Sequence, residues 1–153
     1  MILDDRAELA DNLAANTGAT GTSNLGDTID TQAGGITRTP DGTFSADLYL
    51  VVRVAQAFTS GGAATVAFRL VSDETGTPST TTATVHATSG ALPLASLTAG
   101  ATIFCINCRE LQRVERFLGV QQVTGVAALT GGALDVFFTD SPALSRNYAD
   151  NVR

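Results

Sequence analysis

Along most of this chain apolar and polar positions alternate with a period of two, which belongs to a pleated strand and not to a helix. Residues 46–55 (ADLYLVVRVA) show it most clearly. Leu48, Leu50, Val52 and Val54 share one face, and Tyr49, Val51 and Arg53 share the other. Apolar residues on both faces predict a central strand, covered on each side. Residues 63–72 alternate again, Ala64, Val66, Phe68 and Leu70 against Thr65, Ala67, Arg69 and Val71, as a half-buried antiparallel partner would. Further strands are expected at 80–88 (TTTATVHAT), 102–108 (TIFCINC, buried), 117–124 (FLGVQQVT) and 133–139 (ALDVFFT), with a short one at 24–30 around Leu25 and Ile29.

Glycine punctuates these runs. The stretches 58–68 (FTSGGAATVAF), 97–104 (LTAGATIF) and 129–138 (LTGGALDVFF) each open on an apolar residue and a threonine, pass one or two glycines, and enter an apolar-rich run. Glycine reaches positive φ without steric cost, so each reads as a strand-to-strand corner. Their unequal spacing argues against a solenoid or propeller. Residues 34–42 (GGITRTPDG) read as a loop closed by a Pro-Asp-Gly turn, 73–79 (DETGTPS) as an exposed loop, and 89–98 (SGALPLASLT) as an ordered crossover packed on the core. Residues 1–23 lack a sustained period and end in a small-residue linker at 17–23, so they are expected to form an N-terminal arm with a short strand. The polar tail 140–153, with Leu144 and Tyr148 as its large apolar residues, is expected to form a C-terminal arm. The chain is thus expected to be one all-β domain, a jelly-roll-like antiparallel β-sandwich over 24–139 with extended arms at both ends.

Composition supports a folded core. The 153 residues are 44% hydrophobic and 16% charged, a length that buries roughly 70% of the unfolded chain's surface without help from disulfide or metal. Threonine occurs 22 times and tryptophan not at all, a bias toward strands and turns. All nine basic residues are arginines, and the net charge is −6. Such a surface does not suit direct nucleic-acid binding, which draws on basic patches. The opening MILDDRAELAD carries acids where a signal peptide needs positive charge, and the longest apolar run, 48–52, is far too short to span a bilayer. Synthesis in the cytosol, no membrane association and reduced thiols are expected.

Candidate chemistry is sparse. Cys105-x-x-Cys108 lies in a strand pattern with no second cysteine pair, and His86 is the single histidine, so two buried thiols are expected and not a zinc or redox site. One histidine cannot build a cupin-type metal site, and no Gly-x-Ser-x-Gly elbow accompanies it. Asp41, Thr43, Ser45 and Asp47, with Asp27 and Asp30, offer oxygens but lack the glycine and terminal glutamate of an EF-hand. No Gly-rich loop leads from strand into helix to cradle phosphate. No catalytic, metal or cofactor-binding residue is expected, and the protein is expected not to be an enzyme. The loop 109–116 interleaves Arg109, Arg113 and Arg116 with Glu110 and Glu115, which suits a solvated mixed loop or a contact for an acidic partner.

Several segments resemble a known family. The opening MILDD, LYLVVRVAQAFTSGGAATVAFRLVSD, LPLASLTAGATIF, RFLGVQQVTG and LTGGALDVFF stand here in the order seen in tailed-bacteriophage capsid cement proteins, also called decoration or stapling proteins. The resemblance runs over most of 1–138, and its most specific parts are the first four residues and the AFTSGGAAT corner. It implies a jelly-roll virion structural protein on the outer surface of an icosahedral head, where it bridges major capsid protein subunits and stabilises the shell. It further implies self-association, dimers favoured over trimers. Under that reading the expected contacts are Ile2, Leu3, Leu144 and Tyr148 in the arms, and Arg109, Arg113 and Arg116 in the charged loop. The alternative is a receptor- or glycan-binding β-sandwich of a phage tail or fibre.

Overall fold

The computed structural model describes residues 8–33, 36–44 and 47–140. Nine strands follow in chain order: β1 Glu8–Ala14, β2 Gly21–Asp30, β3 Tyr49–Ser60, β4 Thr65–Asp73, β5 Thr84–Thr88, β6 Leu92–Pro93, β7 Thr102–Asn107, β8 Phe117–Gly125 and β9 Leu129–Thr139. They form two sheets, β1-β9-β3-β7 and β2-β8-β4-β5, with β6 also on β4. All pairings are antiparallel. Because β5 lies beside 69–72 of β4 and β6 beside 65–66, the two act as one interrupted strand. Counted so, the sheets read 1-8-3-6 and 2-7-4-5, the strand order of a jelly roll.

The period-two pattern fixes which face meets the core. Leu50, Val52 and Val54 of β3, Val66, Phe68 and Leu70 of β4, Leu118 and Val120 of β8, and Leu134, Val136 and Phe138 of β9 interdigitate between the sheets. As expected, β3 is central, flanked by β9 and β7. Val51, on its other face, is also buried. On that same outer face the Arg53 guanidinium pairs with Asp135 at 2.5 Å, and Asp135 accepts from the Asn12 backbone N–H at 2.9 Å, which ties β3, β9 and β1 together.

Several expectations need correction. The sandwich begins earlier than 24: β1 and β2 are full members of the two sheets, with Leu9, Ala10 and Leu25 in the core. The two strands meet where the sheets close, and a Cβ on Gly26 would fall 2.2 Å from the Leu9 carbonyl oxygen. Asparagines at 12 and 16 obscured the apolar pattern there. Gly131 and Gly132 are no corner but lie inside β9, and the turn is at 126–128. The strand expected at 80–88 is reduced to Thr84–Thr88. Strand β7 lies at a sheet edge and is only partly covered, so Cys105 is exposed although Cys108 is buried. The loop expected at 73–79 is exposed over 74–77, as read, but it is also pinned to the sheet. It lies on the outer face of the second sheet, where Pro78 is buried and Asn24, Thr28 and Gln121 donate to the carbonyls of Pro78, Gly76 and Ser79.

Candidate functional site

Antiparallel topology sends the connections to two opposite ends, and these differ sharply. Of the described residues, the first end holds 31–33, 36–44, 47–48, 74–83 and 108–116. Here the loop of arginines is anchored from within. Cys108, Leu111 and Val114 are buried in the core, so the loop closes this end of the sandwich while Arg109, Glu110 and Arg113 stay exposed. It interlocks with 36–44: the Gly42 carbonyl accepts from Val114 N–H at 2.9 Å, and Arg38 donates to the Val114 carbonyl. Gly42, at φ +79, leaves no space for a side chain, because a Cβ would stand 2.8 Å from Arg113 Cα.

The three arginines meet different fates. Arg116 pairs with Asp30 at 2.8 Å and lies over the Phe117 ring, 4.9 Å from its centroid. Its hydrogen bond holds the Asp30 carboxyl below the usual carboxylate range, with the backbone N–H of Gln32 adding to the effect. Arg109 reaches Asp47 at 3.4 Å with both side chains largely in solvent, a weak pair. Arg113 is exposed, in a left-handed conformation at φ +54. The structure therefore places all three at one end but gives two of them internal acidic partners. Ile2, Leu3, Leu144 and Tyr148 lie outside the described residues.

Behind this loop is a polar cluster that sequence spacing did not reveal. Ser72 on β4, His86 on β5 and Glu115 converge: Ser72 Oγ lies 2.8 Å from His86 Nε2 and donates to Glu115 Oε2 at 3.1 Å, and the Glu115 N–H donates to Ser72 Oγ at 3.0 Å. The single hydroxyl proton goes to the carboxylate, so His86 is the donor through Nε2–H. The order is serine between histidine and acid, whereas a hydrolytic triad places histidine in the middle. Ser72 is moreover 0% exposed. Burial lowers the His86 pKa, and the Glu115 charge opposes that shift. The arrangement locks β4, β5 and the 108–116 loop together.

The remaining candidates resolve into local structure. Burial pushes the Cys108 thiol up to about 12 and raises that of Cys105. Thr39, Asp41 and Thr43 hydrogen-bond one another around the turn. Ser45 lies outside the described residues, Asp30 is committed to Arg116, and no group of three potential metal ligands occurs among the described residues.

Among the described residues, the second end carries no charge. Its turns lie within four uninterrupted uncharged runs, 12–26, 54–68, 87–108 and 117–134. These pack side by side: Gly18 N–H donates to the Leu129 carbonyl at 3.1 Å, Phe58 N–H to that of Leu97 at 3.0 Å, and Ser60 Oγ to that of Ala128 at 2.6 Å. At the tip, Ala127 N–H donates to the Gly125 carbonyl at 2.8 Å across Val126, whose φ is +67. That is a γ-turn of the strained, positive-φ kind. Val126 is 79% exposed, the most exposed large apolar side chain among the described residues. The uncharged runs were visible in the sequence; that the topology would gather them at one end was not.

A family model for Bbp16 matches residues 12–138. The chain belongs to the Bbp16 family. Bbp16 is a phage-associated family, and the match covers the sandwich from the last three residues of β1 to all but the last residue of β9. No curated protein matches the chain.

Proposed function

We propose that this chain is a virion structural protein that binds the outer surface of an icosahedral phage head, bridges neighbouring copies of the major capsid protein and stabilises the shell. Membership of a phage-associated family is the observation that carries the reading. The geometry supports it: the serine–histidine–acid cluster is centred on the buried Ser72 and wired as a structural lock, and the two ends of the sandwich differ in charge. Many weak contacts repeated around a closed shell add by multivalency, so no single strong site is required. An acidic, lysine-free surface also suits a protein kept away from the packaged genome.

Purified heads with and without the protein, heated or treated with chelator, test the proposal. Earlier DNA release from heads lacking it is expected. Equal release from both would refute a stabilising role, and reproducible sugar binding on a glycan array would favour a receptor-binding module instead.

A further inference from the structure

Resting on the reading above, we infer that the uncharged end of the sandwich, with Val126 at its tip, is the surface that docks on the shell, and that its partner is an uncharged, apolar surface of the capsid subunit. Two independent features point there. The first is charge segregation. In a chain of net charge −6, every described ionisable Asp, Glu, Arg and His lies outside the runs 12–26, 54–68, 87–108 and 117–134. The end built from those runs can be dried against a partner without stripping water from any described charge. At the opposite end Arg116 is held by Asp30 at 2.8 Å.

The second feature is Val126. A β-branched residue at positive φ is a backbone outlier, and a hairpin turn of this kind is ordinarily relieved by glycine or asparagine. Here the strained residue is also the most exposed large apolar one described, and its turn is buttressed from below. A Cβ on Gly62 would stand 3.0 Å from the Ala127 Cβ, so the two turns are in contact. Strain held in place by its surroundings and spent on exposing an apolar side chain points to use of that side chain. Gly61, on the neighbouring turn, has open space beside it, so a partner's backbone can approach closely.

The test uses heads assembled without the protein, cosedimented with the full-length wild type, Val126→Gly, Val126→Asp and a double variant Arg109→Ala/Arg113→Ala. Binding is measured at about 0.1 M and about 1 M salt, between which the screening length falls from about 10 Å to about 3 Å. Wild-type occupancy is expected to hold at both salts, and the arginine variant to bind as wild type. Val126→Asp is expected to bind at least about tenfold more weakly, a burial effect of about 1.4 kcal/mol. Val126→Gly is expected to bind more weakly with a Tm at or above wild type, because glycine relieves the positive φ; that separates lost contact from lost folding. Wild-type affinity in Val126→Asp, or occupancy that falls with salt and with the arginine variant, would overturn the inference. So would a change in self-association of the free Val126→Asp protein with head occupancy intact. If the wild type itself does not bind heads, the proposed function fails instead.

Discussion

The ring of Phe58 lies directly on the backbone of Gly132: a Cβ built on that glycine would come 2.7 Å from Phe58 Cγ. Phe58 also meets Phe68 edge-on, with ring centroids 5.9 Å apart at 78°, so one aromatic contact joins β3, β4 and β9. Gly132→Ala is expected to destabilise the protein by roughly 1–3 kcal/mol through overpacking, with more from its φ of +135. Phe58→Ala is expected to cost about 3–5 kcal/mol through the cavity it leaves. Chemical denaturation measures both, and a Gly132→Ala protein as stable as wild type would show that the ring can move aside.

Acid should loosen the lock between Ser72, His86 and Glu115. The folded-state pKa of His86 lies below its unfolded value of about 6.5, because burial outweighs the nearby carboxylate. A lowered histidine pKa means that the unfolded chain binds the proton more readily. The contribution of His86 is then complete above about pH 6.5 and declines as pH falls toward the lowered value. Wild-type Tm should drop over that window more steeply than that of His86→Gln. Parallel curves for the two proteins would refute the assignment.

The two thiols should differ in reactivity. Cys105 lies exposed on the edge strand β7, whereas Cys108 is buried with its pKa pushed up to about 12. The thiolate is the reactive form, so native alkylation near pH 8 should modify Cys105 first and leave Cys108 intact until the protein unfolds. Peptide mass spectrometry reads this directly, and equal labelling of both would show that the 108–116 loop opens.

How much of this was legible beforehand follows from what each feature depends on. Strands β3 and β4 were readable because their apolar residues alternate without interruption and both are covered by neighbouring strands. β1 is legible only as a short strand in an arm, because tertiary pairing with β9, and not local pattern, holds Asn12 and its neighbours in the sheet. Gly131 and Gly132 were taken for a corner because glycine marks both turns and close approach, and only the position of Phe58 distinguishes the two. The Ser72, His86 and Glu115 cluster joins residues from three separate segments, so no spacing rule could find it. The arginine loop was correctly singled out as a unit, but its buried Leu111 and Val114 show that its first task is closing the core.

Asp73 offers a last test, of the segment that covers the second sheet. Its carboxylate accepts from Thr75 N–H at 3.1 Å, from Thr75 Oγ1 at 3.1 Å and from Ser79 N–H at 2.9 Å. Hydrogen bonds from the Ser79 and Thr75 backbone N–H groups lower its pKa, so the turn is held in the ionised state and weakens as pH falls below the ordinary aspartate value of about 3.9 toward the lowered one. Asp73→Asn keeps the shape but replaces one acceptor oxygen with a donor, so either Thr75 or Ser79 loses its partner. A small loss of stability is expected, with faster amide exchange at Ser79 and in the facing residues of β8, while β3 and β9 stay protected. Exchange that rises in β3 instead would mean that the covering segment is not an independent unit and that Asp73 supports the sandwich as a whole.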